Sequence, residues 1–305
     1  MIRHRDFIRV KDFYFSVVGY RHDRCVKCIL RYVPCSSGSR SINGRRYRKL
    51  RHSEALKYFR EFCKNGLHCI PRDMIDEVYR TDERFLEVCM RDVDVRKVAE
   101  FFKLPKMGIT GSRLIGLKGE DSDVDLVLYD RYFDVGRKKI EKGLMRGVLE
   151  QPDLEFVYRK RCVNIPFEVF RVHEIRKYNR AVLDGICFDI LYVRDKILGG
   201  EIEEIGRKIC KTTLRARVLY ERSFDYPAFY LVDRNVRAVL SFTHTYSGQV
   251  FRGEIMEARG FIEEIDGERY LIVGTRREVE DEYIVSISLL ERLKLLEEFL
   301  SWKKS

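Results

Sequence analysis

Glutamine and asparagine are scarce in this 305-residue chain, which has two Gln and five Asn beside 59 Lys and Arg. Such a bias is typical of proteins from thermophiles. No apolar run approaches the ~20 residues that a membrane-spanning helix requires, and residues 1–6 lack the pattern of a signal peptide. We therefore expect a cytoplasmic protein with no membrane partner.

A second paired-cysteine motif is also missing, although nine cysteines are present. Cys25 and Cys28, with His22 and Cys35 nearby, invite a zinc interpretation. They overlap a predicted strand, however, where residues three apart face opposite sides. The odd count and the scattered spacing favour ordinary reduced cysteines in an intracellular protein. Whether Cys25, Cys28 and Cys35 bind a metal is left open by the sequence.

Positive charge is concentrated at the start of the chain. The net charge is +11, and residues 1–50 hold thirteen Lys and Arg against three acids. Aromatic residues are interleaved with these cations, which suits contacts with phosphates and stacking on bases. We expect this segment to bind a nucleic acid, with RNA favoured, and a solvated basic face is the alternative. The candidate contacts are Arg45, Arg46, Arg48 and Lys49.

The most informative stretch covers residues 107–129. A short predicted strand stops at Gly111, which permits a tight turn. Ser112 then begins a predicted helix whose N–H groups can hold a phosphate. Asp123 and Asp125 lie two residues apart on the next predicted strand, so their carboxylates project from one face. Two acids on an otherwise apolar strand are costly unless they are paired or bind a metal, and the pattern therefore suits metal-assisted transfer of a nucleotide.

This pattern resembles the nucleotidyltransferase superfamily of DNA polymerase beta type. That family has a Gly-Ser turn, a helix, and then Ser-Asp-x-Asp on the next strand. Here ten residues separate the Gly-Ser pair from Asp123. Gly116 and Ser122 fall on small-residue positions of the family, whereas Ile115 stands where many members carry Arg. The resemblance implies an enzyme that moves a nucleoside monophosphate from an NTP to an acceptor and releases pyrophosphate.

The resemblance also implies a site for two Mg²⁺ ions, which carboxylate oxygens suit. Asp123 and Asp125 would bind both ions, while Gly111 and Ser112 would hold the triphosphate. Two ions roughly 3.5–4 Å apart stabilise the entering and leaving oxygens of an in-line displacement. A nucleic acid is the favoured acceptor, with a protein side chain or a small molecule as alternatives. A metal-dependent phosphodiesterase and an inactive, nucleic-acid-binding relative are further possibilities.

A third carboxylate on a neighbouring strand would complete this site. Asp189 is the best candidate, because it is a lone acid in the apolar run 186–193 and its desolvation needs a partner or a metal. Glu168 is the runner-up. Its segment is better explained as the start of a helix, with Asn164 as the cap and Pro166 in the first turn.

Three domains are predicted from the order of strand and helix patterns, giving an α/β and α+β multidomain protein. Residues 1–82 form a small basic α+β domain, 83–212 the nucleotidyltransferase domain (a mixed sheet with helices), and 213–305 a β-barrel-like domain with a C-terminal helix. This layout is similar to that of archaeal proteins predicted to be nucleotidyltransferases. Other predicted elements are helices at 137–150 and 166–183 and strands at 237–242, 249–255 and 270–274.

Overall fold

The computed structural model describes residues 1–120, 122–161, 163–197, 202–274 and 281–304. It is a multidomain α+β fold with several sheets, divided into two compact units. Met1–Pro152 and Asn179–Gly199 form the first unit, and Asp153–Tyr178 and Gly200–Ser305 form the second. The boundary predicted at residue 82 falls inside the first unit, and the three-domain division stays a prediction. None of the helices in the described ranges has the length and apolar character needed to cross a bilayer.

An eight-stranded sheet makes up the N-terminal part of the first unit. Its elements are β1 (Phe7–Val10), β2 (Phe13–Val17), β3 (Cys25–Pro34), β4 (Arg40–Ile42), β5 (Arg45–Lys49), α1 (His52–Ala55), a 3-10 turn (Arg60–Phe62), β6 (Cys63–Lys64), β7 (Leu67–Pro71), a second 3-10 turn (Arg72–Met74) and β8 (Glu77–Tyr79). The main strand order is β4-β5-β3-β2-β1-β8, while β7 pairs with β3 and β6. Alternating apolar residues such as Ile8, Phe15 and Leu30 are buried and form the core on one face.

A four-stranded sheet with flanking helices completes the first unit. Its elements are α2 (Phe85–Arg91), α3 (Val93–Phe102), β9 (Met107–Ile109), α4 (Gly111–Leu114), β10 (Val124–Tyr129), α5 (Arg131–Met145), β11 (Arg180–Leu183) and β12 (Ile186–Val193). The order is β11-β12-β10-β9; β10 and β12 are parallel, and β9 and β11 are antiparallel to their neighbours. The sheet is therefore mixed, and α3 and α5 pack against it.

The helix predicted at 166–183 is wrong in its second half. The observed helix ends at Ile175, and residues 180–183 form β11, which pairs with β12. Tyr178 has a φ of 47°, a left-handed conformation that a continuing helix does not contain. The sequence pattern at 176–183 did not reveal this break.

The second unit combines a ring-like sheet with several helices. Its elements are α6 (Leu154–Arg161), α7 (Phe167–Ile175), β13 (Arg207–Arg222), β14 (Ala228–Val232), β15 (Ala238–Ser241), a 3-10 turn (His244–Tyr246), β16 (Ile255–Ile265), β17 (Glu268–Val273), β18 (Tyr283–Ser286), α8 (Ile287–Arg292) and α9 (Leu296–Trp302). The pairings run β13-β14-β15-β17-β16 and return from β16 to β13, so five strands close a ring. Its core includes Val218, Tyr230 and Tyr283 together with Phe170 of α7.

Two of the three strands predicted in the second unit are confirmed, at 237–242 and 270–274. The strand predicted at 249–255 is wrong, because the observed strand begins at Ile255 and residues 249–254 form a loop. Gly253 within that loop has a φ of 89°, which ends the extended conformation.

Candidate active site

Three carboxylates lie at the centre of the mixed sheet. Asp125 in β10 and Asp189 in β12 occupy directly paired positions of two parallel strands, so their side chains project from the same face. Asp123 immediately precedes β10 and lies two residues before Asp125. The structure thus brings together the three acids that the sequence singled out, and their role in binding a metal stays a prediction.

The negative charges of these acids act on one another. The pKa of Asp125 is raised to about 6, first by burial and then by the charges of Asp189 and Asp123. The positive charges of Lys49 and Arg5 oppose that rise. A carboxylate in this setting is stabilised by a nearby cation, because the cation offsets both desolvation and repulsion.

Arg180 is the cation that contacts Asp189. The two residues are paired across β11 and β12, and Nη2 of Arg180 donates to Oδ2 of Asp189 at 2.7 Å. Both side chains are mostly buried, with 13% and 17% of their surfaces exposed. Asp189 is therefore held in place beside Asp125 by a neighbour on its own hairpin.

The donor chemistry of the acid cluster fits Mg²⁺. Three carboxylates offer only hard oxygen ligands, and burial, followed by the negative charges of Asp189 and Asp123, raises the pKa of Asp125, so a cation there would be stabilising. In the described ranges no group of three or more His, Cys, Asp or Glu side chains is already drawn together tightly enough to hold an ion. Asp189 pairs with Arg180 instead. The residue types and the shared face fit the ion, and the side chains would have to converge on it.

Glu168, the runner-up for the third ligand, lies on α7 in the second compact unit. Its Oε2 is 2.7 Å from Nη2 of Arg171, one helical turn away, and both side chains are half-buried. The helix predicted for this segment is confirmed from Phe167 to Ile175. Glu168 thus has a local partner and is explained as part of a half-buried ion pair on one helix.

The Gly-Ser turn lies directly against Asp125. Gly111 has a φ of 72°, and a Cβ at this position would overlap the Asp125 carboxylate. The N–H of Thr110 donates to the carbonyl oxygen of Asp125 at 2.9 Å, which joins the turn to β10. Only glycine fits this left-handed, crowded position, so the turn and the acid are placed as one unit.

Ser112 is buried, and its Oγ donates to Oγ of Ser122 at 3.1 Å. The helix that begins at Gly111 contains only four residues and ends at Leu114. A single turn has few aligned peptide dipoles, so it contributes little positive potential to a phosphate. Ile115, at the position where many members of the superfamily that the motif resembles carry Arg, is buried in the core.

Arg113 is a site residue that the sequence analysis missed. Its Nη1 lies 2.8 Å from both carboxylate oxygens of Asp92, its Nη2 donates to the Ser122 carbonyl at 2.7 Å, and its Nε donates to the Asp123 carbonyl at 3.2 Å. Only 6% of its side chain is exposed. Arg113 therefore fixes the backbone that carries Asp123. Because Asp92 is 21 residues away in sequence, no local pattern could have indicated this pairing.

The N-terminal sheet packs directly on the loop between the Gly-Ser turn and Asp123. Nη1 of Arg40 donates to the Leu117 carbonyl at 2.6 Å and to Oγ of Ser122 at 3.1 Å. Oγ1 of Thr110 donates to the carbonyl oxygen of Arg5 at 2.6 Å. The basic N-terminal segment is thus part of the surroundings of the acid cluster.

The four predicted nucleic-acid contacts differ in their surroundings. Arg45 forms an ion pair with Asp12, and Nη1 of Arg48 lies 2.8 Å from Oε1 of Glu54. Arg46 is exposed. Lys49 acts electrostatically on Asp125. Their binding to nucleic acid stays a prediction, but two of the four cations already have acidic partners.

The expectation that Cys25 is a reduced cysteine is wrong. Cys25 and Cys69 form a disulfide between β3 and β7, with their Cα atoms 5.3 Å apart. Cys28 and Cys35 are thiols, and burial raises the pKa of Cys28. The antiparallel pairing of β3 with β7 brought together two cysteines that are 44 residues apart. A disulfide sulfur is not a thiolate, so Cys25 does not serve as a zinc ligand in this state.

The fold and the site define a multidomain α+β protein with three carboxylates on the face of a mixed sheet. No protein-family model matches the chain. The chain is 33% identical over 334 residues to the uncharacterized protein MJ1086 of Methanocaldococcus jannaschii, and the match covers 93% of this chain and 98% of the relative. The chain belongs to the family of that protein.

Proposed function

We propose that this protein is a Mg²⁺-dependent nucleotidyltransferase with a polymerase beta-like central sheet. It would transfer a nucleoside monophosphate from an NTP to an acceptor and release pyrophosphate. The observation that carries the proposal is the direct pairing of Asp125 with Asp189 on parallel strands, with the Gly111 backbone against Asp125. A phosphate held at the Gly-Ser turn would lie next to the carboxylates.

Each residue of the site has a distinct task in this proposal. Asp123, Asp125 and Asp189 would hold Mg²⁺, which when bound lowers the pKa of the attacking hydroxyl and stabilises charge at phosphorus. The Gly111 backbone and the Ser112 hydroxyl would donate hydrogen bonds to phosphate oxygens, which the missing Cβ permits. Arg113 is a positioning residue, because its guanidinium holds the backbone carbonyls of Ser122 and Asp123.

RNA is the acceptor that we propose. Support comes from the excess of ten positive charges within residues 1–50, since a polyanion is attracted to such a surface. Arg46 is exposed and available to phosphates, whereas Arg45 and Arg48 would first have to exchange their acidic partners.

Labelled nucleotides test the proposal directly. The full chain is incubated with each of the four α-labelled NTPs and Mg²⁺, in the presence of total RNA, a protein mixture or an aminoglycoside. We expect label in RNA, and we expect Asp125→Asn to remove it. Asp134→Asn is the matched control, because that carboxylate is 71% exposed on α5 and should retain full transfer.

The outcomes separate the alternatives. Label in protein or in the small molecule would keep the enzyme class and replace the acceptor. Shortening of the RNA without any transfer of label to an acceptor would favour a phosphodiesterase. RNA binding with no transfer and no hydrolysis in any mixture would mean that the fold serves only for binding. The unfolding temperature of Asp125→Asn should equal or exceed that of the wild type, because the substitution removes a buried negative charge that its neighbours repel.

A further inference from the structure

We propose that Arg31, together with Arg5 and Lys49 of the N-terminal sheet, binds the triphosphate of the nucleotide opposite the three carboxylates. This inference rests on the proposed function and deepens it. It gives the N-terminal sheet a direct part in the active site, in addition to the contacts with RNA proposed above. We call these three residues the cationic patch.

A β-bulge sets the direction of Arg31. In the pairing of β2 with β3, Tyr14 lies opposite Tyr32 and Phe15 lies opposite Leu30, so Arg31 is an extra residue with no opposite position. A bulge bends the strand and changes the direction in which its side chains point. The Arg31 guanidinium is close enough to Asp125, Arg5 and Tyr32 to interact with them electrostatically.

Lys49 reaches the same region by ordinary strand geometry. It is paired with Tyr32 across β5 and β3, and paired residues on neighbouring strands share a face. The Tyr32 ring lies 5.6 Å from the guanidinium of Arg40, which itself binds the loop before Asp123. The Tyr32 hydroxyl also interacts with Ser112. This face of the N-terminal sheet therefore lies next to the Gly-Ser turn.

Arg5, which lies two residues before β1, completes the cationic patch. Its carbonyl accepts a hydrogen bond from Thr110, the residue directly before Gly111. Its charge, like that of Lys49, acts on Asp125 and opposes the rise of that residue's pKa. Three cations thus converge on the acid cluster from residues 5, 31 and 49, which are far apart in sequence and adjacent in the fold.

The carboxylates alone do not explain Arg31. Its side chain is half-buried, and within the described ranges no hydrogen bond or ion pair holds the guanidinium. Burial lowers the pKa of Arg31, so the folded protein bears a desolvation cost for this charge. Asp189 already pairs with Arg180. A planar guanidinium in this position suits a phosphate, which it can bind through two parallel hydrogen bonds.

The local backbone gives a second reason to look for a phosphate-binding cation. The helix after Gly111 is a single turn and supplies little positive potential. Mg²⁺ held by the three carboxylates would offset part of the negative charge, and the rest of the triphosphate needs more positive charge than one hydroxyl and a few N–H groups provide. The cationic patch is the source that the fold places next to the turn.

Calorimetry with inorganic tripolyphosphate in the presence of Mg²⁺ tests the patch without requiring turnover. Arg31→Gln should weaken binding by roughly 10-fold or more, because a hydrogen-bonded charge is lost. Lys49→Gln should weaken binding by a smaller factor. Arg31→Lys should retain part of the affinity, because it keeps the positive charge but loses the planar guanidinium that can donate two parallel hydrogen bonds. Arg60→Gln, an exposed arginine of the same sheet region, is the matched control and should bind as the wild type does.

The result distinguishes this inference from the proposed function. Tripolyphosphate binding that depends on Arg31, with no transfer to any acceptor, would refute the transferase and leave the patch in place. Normal transfer with an unchanged nucleotide KM in both Arg31→Gln and Lys49→Gln would overturn the patch and leave the transferase. Absence of tripolyphosphate binding by the wild type would also overturn it. If Arg31→Gln does not fold, the exposed Lys49→Gln decides the question by itself.

Discussion

Replacing Gly111 with alanine tests whether the turn and the acid are placed as one unit. Two effects act at this position. The φ of 72° lies in the left-handed region, which costs a residue with a Cβ about 1–2 kcal/mol. In addition, the new Cβ overlaps the Asp125 carboxylate, and forcing such a contact costs a further ~1–3 kcal/mol. We therefore expect Gly111→Ala to lower the free energy of unfolding by about 2–5 kcal/mol in total.

Gly147→Ala is the matched control. Its φ is 68°, and no atom lies within 4 Å of a Cβ built there. This variant should show the backbone strain alone, about 1–2 kcal/mol. The comparison isolates the contact with Asp125, since the two glycines differ in their neighbours and hardly in their backbone conformation.

A double-mutant cycle in urea unfolding gives the decisive measurement. In an Asp125→Ala background the obstructing carboxylate is absent, so Gly111→Ala should cost no more than Gly147→Ala does. Equal costs of Gly111→Ala in the presence and absence of Asp125 would refute the close approach of the turn to the acid. The proposed placement of a phosphate between them would then lose its support.

Two further predictions concern residues that organise the two units. Arg113→Met should destabilise the first unit by about 1–3 kcal/mol, because the buried Asp92 carboxylate loses two hydrogen bonds from a charged group and keeps a more distant cation, Lys118, at 3.4 Å. Urea unfolding measures the loss, and Asp92→Asn combined with Arg113→Met should restore part of it. His173 is buried, with Nδ1 2.7 Å from the Val169 carbonyl and Nε2 accepting from the N–H of Ser286, and its pKa is lowered to about 3. Because the unfolded chain protonates this imidazole below pH 6.5 and the folded chain does not, His173 should reduce the free energy of unfolding by about 1.4 kcal/mol for each pH unit as the pH falls from 6 to 4. His173→Gln should flatten this dependence in thermal unfolding, and an unchanged slope in that variant would show that other groups cause it.

The sequence by itself determined the local part of the site. Alternation of acid and apolar residues placed Asp123 and Asp125 on one face of a strand, because the side-chain period of two is a property of any extended backbone. The Gly-Ser turn followed from the conformational freedom of Gly111, which the observed positive φ requires. Asp189 was recognisable as a candidate because burying a lone carboxylate within an apolar strand has a high desolvation cost. These signals act within a few residues and need no knowledge of the rest of the fold.

Only the tertiary structure decided which of these segments are neighbours. The register that sets Asp125 opposite Asp189, the bulge that turns Arg31 and the disulfide of Cys25 each depend on the pairing of strands that are distant in sequence. The same holds for the basic segment. Its positive charge was evident from composition. Which of its cations form ion pairs, as Arg48 does with Glu54, and which lie near the acid cluster was decided by the packing of the N-terminal sheet. Local periodicity fixes which way a side chain points from its own strand, whereas its partner is fixed by long-range packing.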